Sequence, residues 1–214
     1  MAEEYTRDEL VRALQREGAR LLRDYFKPDP DLEALIKNSV GANTFRSFQK
    51  MAKPPSEVFR GWAKSRLSYS VMEAFGAIED QVAYDAFFES YAADLTRYWE
   101  AEGKRPLKFG PGRKLLDLLF KRITCCTEVP AESRQLLIPL LHVPLDEFSL
   151  TAVRQCAASE EFGEPIDIPA APSMGWVTSP ELYANIQALM RHIAATASVP
   201  TICLDLLAWD HAHS

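Results

Sequence analysis

The sequence predicts an all-α protein. Three observations carry that prediction: apolar residues recur at helical spacing in nearly every segment, strand signals are nearly absent, and prolines mark the breaks between the periodic stretches. The first helix is expected over residues 8–26, where Leu10, Val11, Leu14, Leu21, Leu22 and Phe26 follow the 3.6-residue period. Thr6 and Glu9 fit a capping box at its start. Lys27-Pro28-Asp29-Pro30 stops it, and a second helix is expected over 30–38. The Lys-Pro-Pro-Ser break at 53–56 opens a helix over 57–69. Helical spacing then continues over 69–100, with Gly76 as a boundary and Asp80 or Asp85 as caps.

Residues 108–113 read as a tight hairpin, followed by a short amphipathic helix over 114–123. Residues 130–141 read as a shorter helical or irregular piece, and Pro144 opens a helix ending near Ala158. The acidic, proline-rich stretch 159–174 is expected to be an exposed loop. Ser179 caps a helix over 180–197, and 200–211 form the last one, with Leu204, Leu206, Leu207 and Trp209.

The chain has 214 residues, 47% hydrophobic and 25% charged, ordinary proportions for a soluble globular protein. The acidic start Met-Ala-Glu-Glu leads into no apolar run, so no secretory leader is expected. No apolar stretch nears the roughly 18 residues of a membrane span, and a cytoplasmic protein without membrane partners is expected. Cys125, Cys126, Cys156 and Cys203 contain no CxxC pair, so zinc is not expected and reduced, structural thiols are. The net charge of −6 argues against a nucleic-acid partner, but its distribution argues the other way. Lys104, Arg105, Lys108, Arg113, Lys114, Lys121 and Arg122 face one acid, Asp117, over a short stretch. Such a stripe either grips phosphate or is a solvated helix face.

The stretch that carries chemistry reads Leu107-Lys108-Phe109-Gly110-Pro111-Gly112-Arg113-Lys114-Leu115-Leu116. A glycine turn of this kind lets backbone N–H groups approach a phosphate, and the following helix adds its dipole. Downstream, His142-Val143-Pro144-Leu145-Asp146-Glu147-Phe148 places an aspartate at a helix start behind an apolar run. Together these segments resemble the helix-hairpin-helix DNA glycosylase superfamily, with the motif around residues 88–123. Within it, the spacing of Lys114 and Asp146 looks more like the archaeal 8-oxoguanine branch and its bacterial relatives. The resemblance covers roughly 85–158. It departs from the commoner hairpin by the central Pro111, which donates no N–H.

The resemblance implies one helical domain over 1–214 with two lobes and a cleft for DNA and the base. It implies a monomer that excises a modified base from double-stranded DNA, with no cofactor. Relatives with an iron–sulfur cluster hold it through four closely spaced C-terminal cysteines. Only Cys203 lies there, so no metal cluster is expected. Asp146 would stabilise the cationic sugar, or stand as a plain helix N-cap. Lys114 would attack the sugar to form a Schiff base, or only neutralise a phosphate. Lys108, Gly110, Gly112 and Arg113 would hold that phosphate.

His142, Trp209 and Asp210 are candidates for the base pocket, as C-terminal helices line it in relatives. Trp62, Trp99 and Trp176 are stacking candidates whose default is core. Arg60 and Arg66 face either DNA or water. The substrate expected is an oxidised purine such as 8-oxoguanine in repair, or a hypermodified phage base such as a modified cytosine in defence. The rival readings are a non-catalytic DNA-binding module and a helical protein-interaction domain.

Overall fold

The computed structural model describes residues 3–48, 51–159 and 164–213. Among them are eleven α-helices, one turn of 3-10 helix and no strand. The chain is all-α, and among the described residues no helix is long and apolar enough to cross a membrane. Residues 160–163 of the expected 159–174 loop lie outside the described residues; 164–174 carry no helix.

Side-chain caps set several helix starts, at Thr6, Asp80 and Ser179 as the sequence names them and at Asp31 besides. Helix α1 is Arg7–Tyr25, and Thr6 and Glu9 exchange hydrogen bonds as a capping box. Helices α2 (Leu32–Ser39) and α6 (Gln81–Gly103) are capped by Asp31 and Asp80, and α10 (Pro180–Thr196) by Ser179. Helix α3 (Ala42–Arg46) has no counterpart in the reading above. The helix expected over 57–69 is α4 (Pro55–Arg66), and α5 (Tyr69–Gly76) follows as a separate helix because Leu67 and Ser68 turn extended. Residues 130–141 resolve into α8 (Ala131–Leu137) and the 3-10 turn Ile138–Leu140.

Two corrections touch the site. Helix α7 spans Phe109–Ile123, so Gly110-Pro111-Gly112 is its first turn and not a hairpin loop. Proline's missing N–H costs nothing in a first turn, and its fixed φ suits a helix. The connection from α6 is 104–108 instead, entered through Lys104 in the left-handed conformation (φ 55°). Helix α9 (Glu147–Ala157) begins after Asp146, which is its N-cap; Pro144 lies outside in an irregular buried segment.

The chain divides into two compact units. One comprises Met1–Tyr25, Phe109–Lys114 and Leu141–Ser214. In it, α11 (Cys203–His213) packs against α1, α9 and α10. Cys203–Ala208 are buried, with Leu10, Leu14, Leu150, Val153, Ile186, Met190 and Ile193 completing the core. Gly18 lets α1 approach closely, since a Cβ there would stand 2.9 Å from Val199 Cγ1.

The other unit comprises Phe26–Lys108 and Leu115–Leu140. Its core is aromatic: Phe120 touches Phe75, Tyr84, Phe87, Phe88 and Tyr91, with centroids 5.6–6.4 Å apart. Burying a side chain of this size contributes about 1.5–3 kcal/mol. Helix α4 is pinned to α6 through Asp94, which accepts from Trp62 Nε1 (2.8 Å) and Arg66 Nε (2.6 Å). The Arg66 guanidinium, with help from Trp62, holds the Asp94 carboxyl below its usual range. A lowered carboxyl pKa stabilises the fold above the unfolded value of about 3.9 and loses that effect as pH falls through the folded value. The stability gap between wild type and Asp94→Asn should therefore be present at pH 7 and close in acid. Denaturation followed by tryptophan fluorescence at both pH values checks this; a gap unchanged in acid would refute it.

Candidate active site

Lys108 is the exposed N-cap residue of α7, whose first amides have no side-chain cap. Two residues on, Gly110 is buried against protein. A Cβ there would lie 2.0 Å from Met174 O and 2.5 Å from Val177 O. Its side therefore faces the 174–177 backbone. Gly112 is half-buried in the same helix. Arg113 lies only 9% exposed, its guanidinium 4.7 Å from the Phe109 ring centre and 5.9 Å from that of Tyr183.

One turn into α7, Lys114 meets Asp146: Nζ stands 2.9 Å from Oδ2, with the side chains 11% and 17% exposed. The aspartate is held on its other side. Oδ1 accepts from the Phe148 amide (2.9 Å) and the Ser149 amide (3.1 Å). Ser149 Oγ in turn accepts from the Asp146 amide (3.0 Å) and donates to Pro144 O (2.8 Å). This closes a capping box. One oxygen of Asp146 thus fixes the carboxylate, and the other is presented to an amine. Such a pair can accept a proton, stabilise positive charge or hand over a nucleophilic amine.

His142 is buried, with Nδ1 3.1 Å from Tyr183 Oη. Its neighbour Val143 is bound on both backbone atoms by Gln187. Trp209 is 56% exposed and stacks on His213 (centroids 4.1 Å apart), which also meets Phe148 at 5.4 Å. That aromatic group lies against the start of α9, two residues from Asp146. Asp210 binds Arg20 of α1 at 2.8 Å. Sequence thus named residues of several clusters, and the fold joins Lys114 with Asp146, Arg113 with His142 through Tyr183, and Asp210 with α1.

The seven cations of 104–122 do not form one solvent-facing stripe, because Lys104, Arg105 and Lys108 precede α7 and the other four wrap around it. Lys104, Arg105 and Lys108 are exposed; Arg113 and Lys121 are buried; Arg122 stands 3.9 Å from Asp29; and Lys114 holds Asp146. Trp62 and Trp99 are core, and Trp176 is half-buried. Arg66 is paired with Asp94, and Arg60 lies 5.9 Å over Phe45.

All four cysteines are buried and outside any disulfide, and burial pushes the Cys203 thiol up to about 12. Native protein at pH 8 should therefore resist a thiol reagent that titrates four groups after denaturation. Rapid reaction of any native thiol would contradict this packing.

Tyr183, Gln187, Phe148 and Ser149 were not legible as site residues. The only sequence signal was indirect: Tyr183 and Gln187 stand four apart on one helix, and a buried Gln needs partners that sequence does not name. The chain matches no family model, no curated protein and no solved structure.

Proposed function

We propose that the chain is a DNA glycosylase in which Lys114 and Asp146 act on the sugar of a flipped-out, modified nucleotide. The observation that carries this reading is the Lys114–Asp146 pair: a largely buried amine 2.9 Å from a carboxylate whose other oxygen is anchored by two amides. Breaking a glycosidic bond builds positive charge at the anomeric carbon, and a fixed carboxylate is the group to stabilise it. The base leaves with the electrons of the bond while the nucleophile, water or the Lys114 amine, bonds to that carbon. Asp146 Oδ2 takes the nucleophile's proton.

Lys108, exposed at the start of α7, and the uncapped amides of that turn suit a phosphate. Gly110 and Arg113 serve by building the turn. The substrate is double-stranded DNA carrying an oxidised purine or a hypermodified base, and the enzyme works as a cytoplasmic monomer without cofactor.

The test is abasic-site formation. Wild type and Asp146→Asn are incubated with duplexes carrying 8-oxoguanine, other damaged bases or hypermodified phage bases, then treated with alkali. Breakage with wild type alone supports the enzyme, and borohydride trapping that vanishes in Lys114→Arg identifies the amine as nucleophile. Tight binding without breakage would leave a non-catalytic DNA-binding module. Absence of both would leave a protein-interaction domain.

A further inference from the structure

We propose that α10 is the template that sets the Lys114–Asp146 separation, with Gln187 and Tyr183 as positioning residues. Its catalytic meaning rests on the glycosylase reading.

The segment 141–145 is buried and has no helix to satisfy its backbone, so its N–H and C=O groups need partners from elsewhere. Gln187, itself 2% exposed, satisfies both polar groups of Val143. Its Nε2 donates to Val143 O (2.8 Å), and its Oε1 accepts from Val143 N (3.0 Å). A side-chain amide used this way fixes both the position and the plane of a peptide, as a neighbouring strand would. One turn earlier on α10, Tyr183 Oη holds His142 Nδ1 at 3.1 Å. Two successive residues are thus gripped by one face of α10, and Asp146 follows three residues after Val143.

The amine is referenced to the same helix. The Tyr183 ring receives the Phe109 ring edge-on (6.1 Å, 80°) and lies under the Arg113 guanidinium, which also covers Phe109. Phe109 and Arg113 belong to the first turns of α7, and Lys114 comes next. Both members of the pair therefore take their coordinates from Tyr183 and Gln187. Displacing reacting groups by about 1 Å can cost ~10²-fold in rate, so a template of this kind acts on the chemical step more than on DNA affinity.

The experiment reads the pair directly. Protein labelled with 13Cε-lysine is examined by NMR, Lys114→Arg assigns the Lys114 signal, and Asp146→Asn defines where it moves when the pair is lost. Gln187→Met keeps the apolar body of the side chain and removes both bonds to Val143. Its Lys114 signal is expected to move toward the Asp146→Asn position, with single-turnover excision lowered about 10–100-fold and DNA Kd unchanged. Tyr183→Phe removes the bond to His142 and keeps the ring, and a smaller displacement in the same direction is expected.

A Lys114 signal at its wild-type position in the folded variants would overturn the proposal, leaving Gln187 a stabilising group alone. If Gln187→Met does not fold, Tyr183→Phe decides. If wild type excises no base, the glycosylase reading fails while the Lys114 signal still decides the positioning.

Discussion

Asp146→Asn is expected to lower base excision by about 10³-fold while the protein stays folded and still binds DNA. Asparagine caps a helix as well as aspartate does, so the bonds from the Phe148 and Ser149 amides to Oδ1 survive. What disappears is the negative charge beside Lys114. Losing a fully buried partner costs about 3–5 kcal/mol, but this pair is partly open to solvent, and a loss of about 1–2 kcal/mol is expected. Asp146→Ala removes the cap as well and should cost about 1 kcal/mol more.

The two variants together separate chemistry from capping. Equal loss of excision with unequal melting temperature supports the charge as the active element. Excision within tenfold of wild type in Asp146→Asn would reduce Asp146 to a helix cap.

Gly110→Ala is expected to destabilise the protein by about 3 kcal/mol or more, lowering the melting temperature by roughly 6–12 °C. At an unconstrained helical position the same change would stabilise by up to about 1 kcal/mol, since alanine is the better helix former. Space decides against it here. The new methyl would meet two backbone carbonyl oxygens, Met174 O at 2.0 Å and Val177 O at 2.5 Å. Backbone atoms cannot swing aside as the end of a side chain can, so either α7 or the 174–177 segment must shift. Thermal melting with DNA titration of the folded variant separates the roles. A stable Gly110→Ala with tenfold weaker DNA binding would return this glycine to phosphate contact, and a melting temperature at or above wild type would contradict the packing.

Asp146 and Gly110 also show what was legible beforehand. Helix identity and most boundaries follow from local causes. Thr6, Asp31, Asp80 and Ser179 satisfy amides within three residues, Pro28 follows the end of α1, and Pro55 and Pro180 open α4 and α10. The Asp146 cap belongs to the same class, since its acceptors' partners, Phe148 and Ser149, are its own neighbours.

The turn around Gly110 misled because local chemistry was ambiguous there. Gly-Pro-Gly suits a loop and also the first turn of a helix, and only packing against 174–177 selects the second. The basic run misled for a related reason. Charge adjacency in sequence says nothing of direction once a helix turns about 100° per residue, and Arg113 and Lys121 are turned inward.

By itself, then, the sequence determined an all-helical chain and most of its helices, and through its resemblance it named Lys114 and Asp146 as groups to watch. The helices are matters of period and of contacts within a turn. The tertiary structure alone decided that amine and carboxylate meet at 2.9 Å, that Arg113 lies over aromatic rings, and that Gln187 grips Val143. Lys114 to Asp146, Arg113 to Tyr183 and Val143 to Gln187 each join residues more than 30 apart in the chain, and only burial of the surrounding apolar surface brings them together.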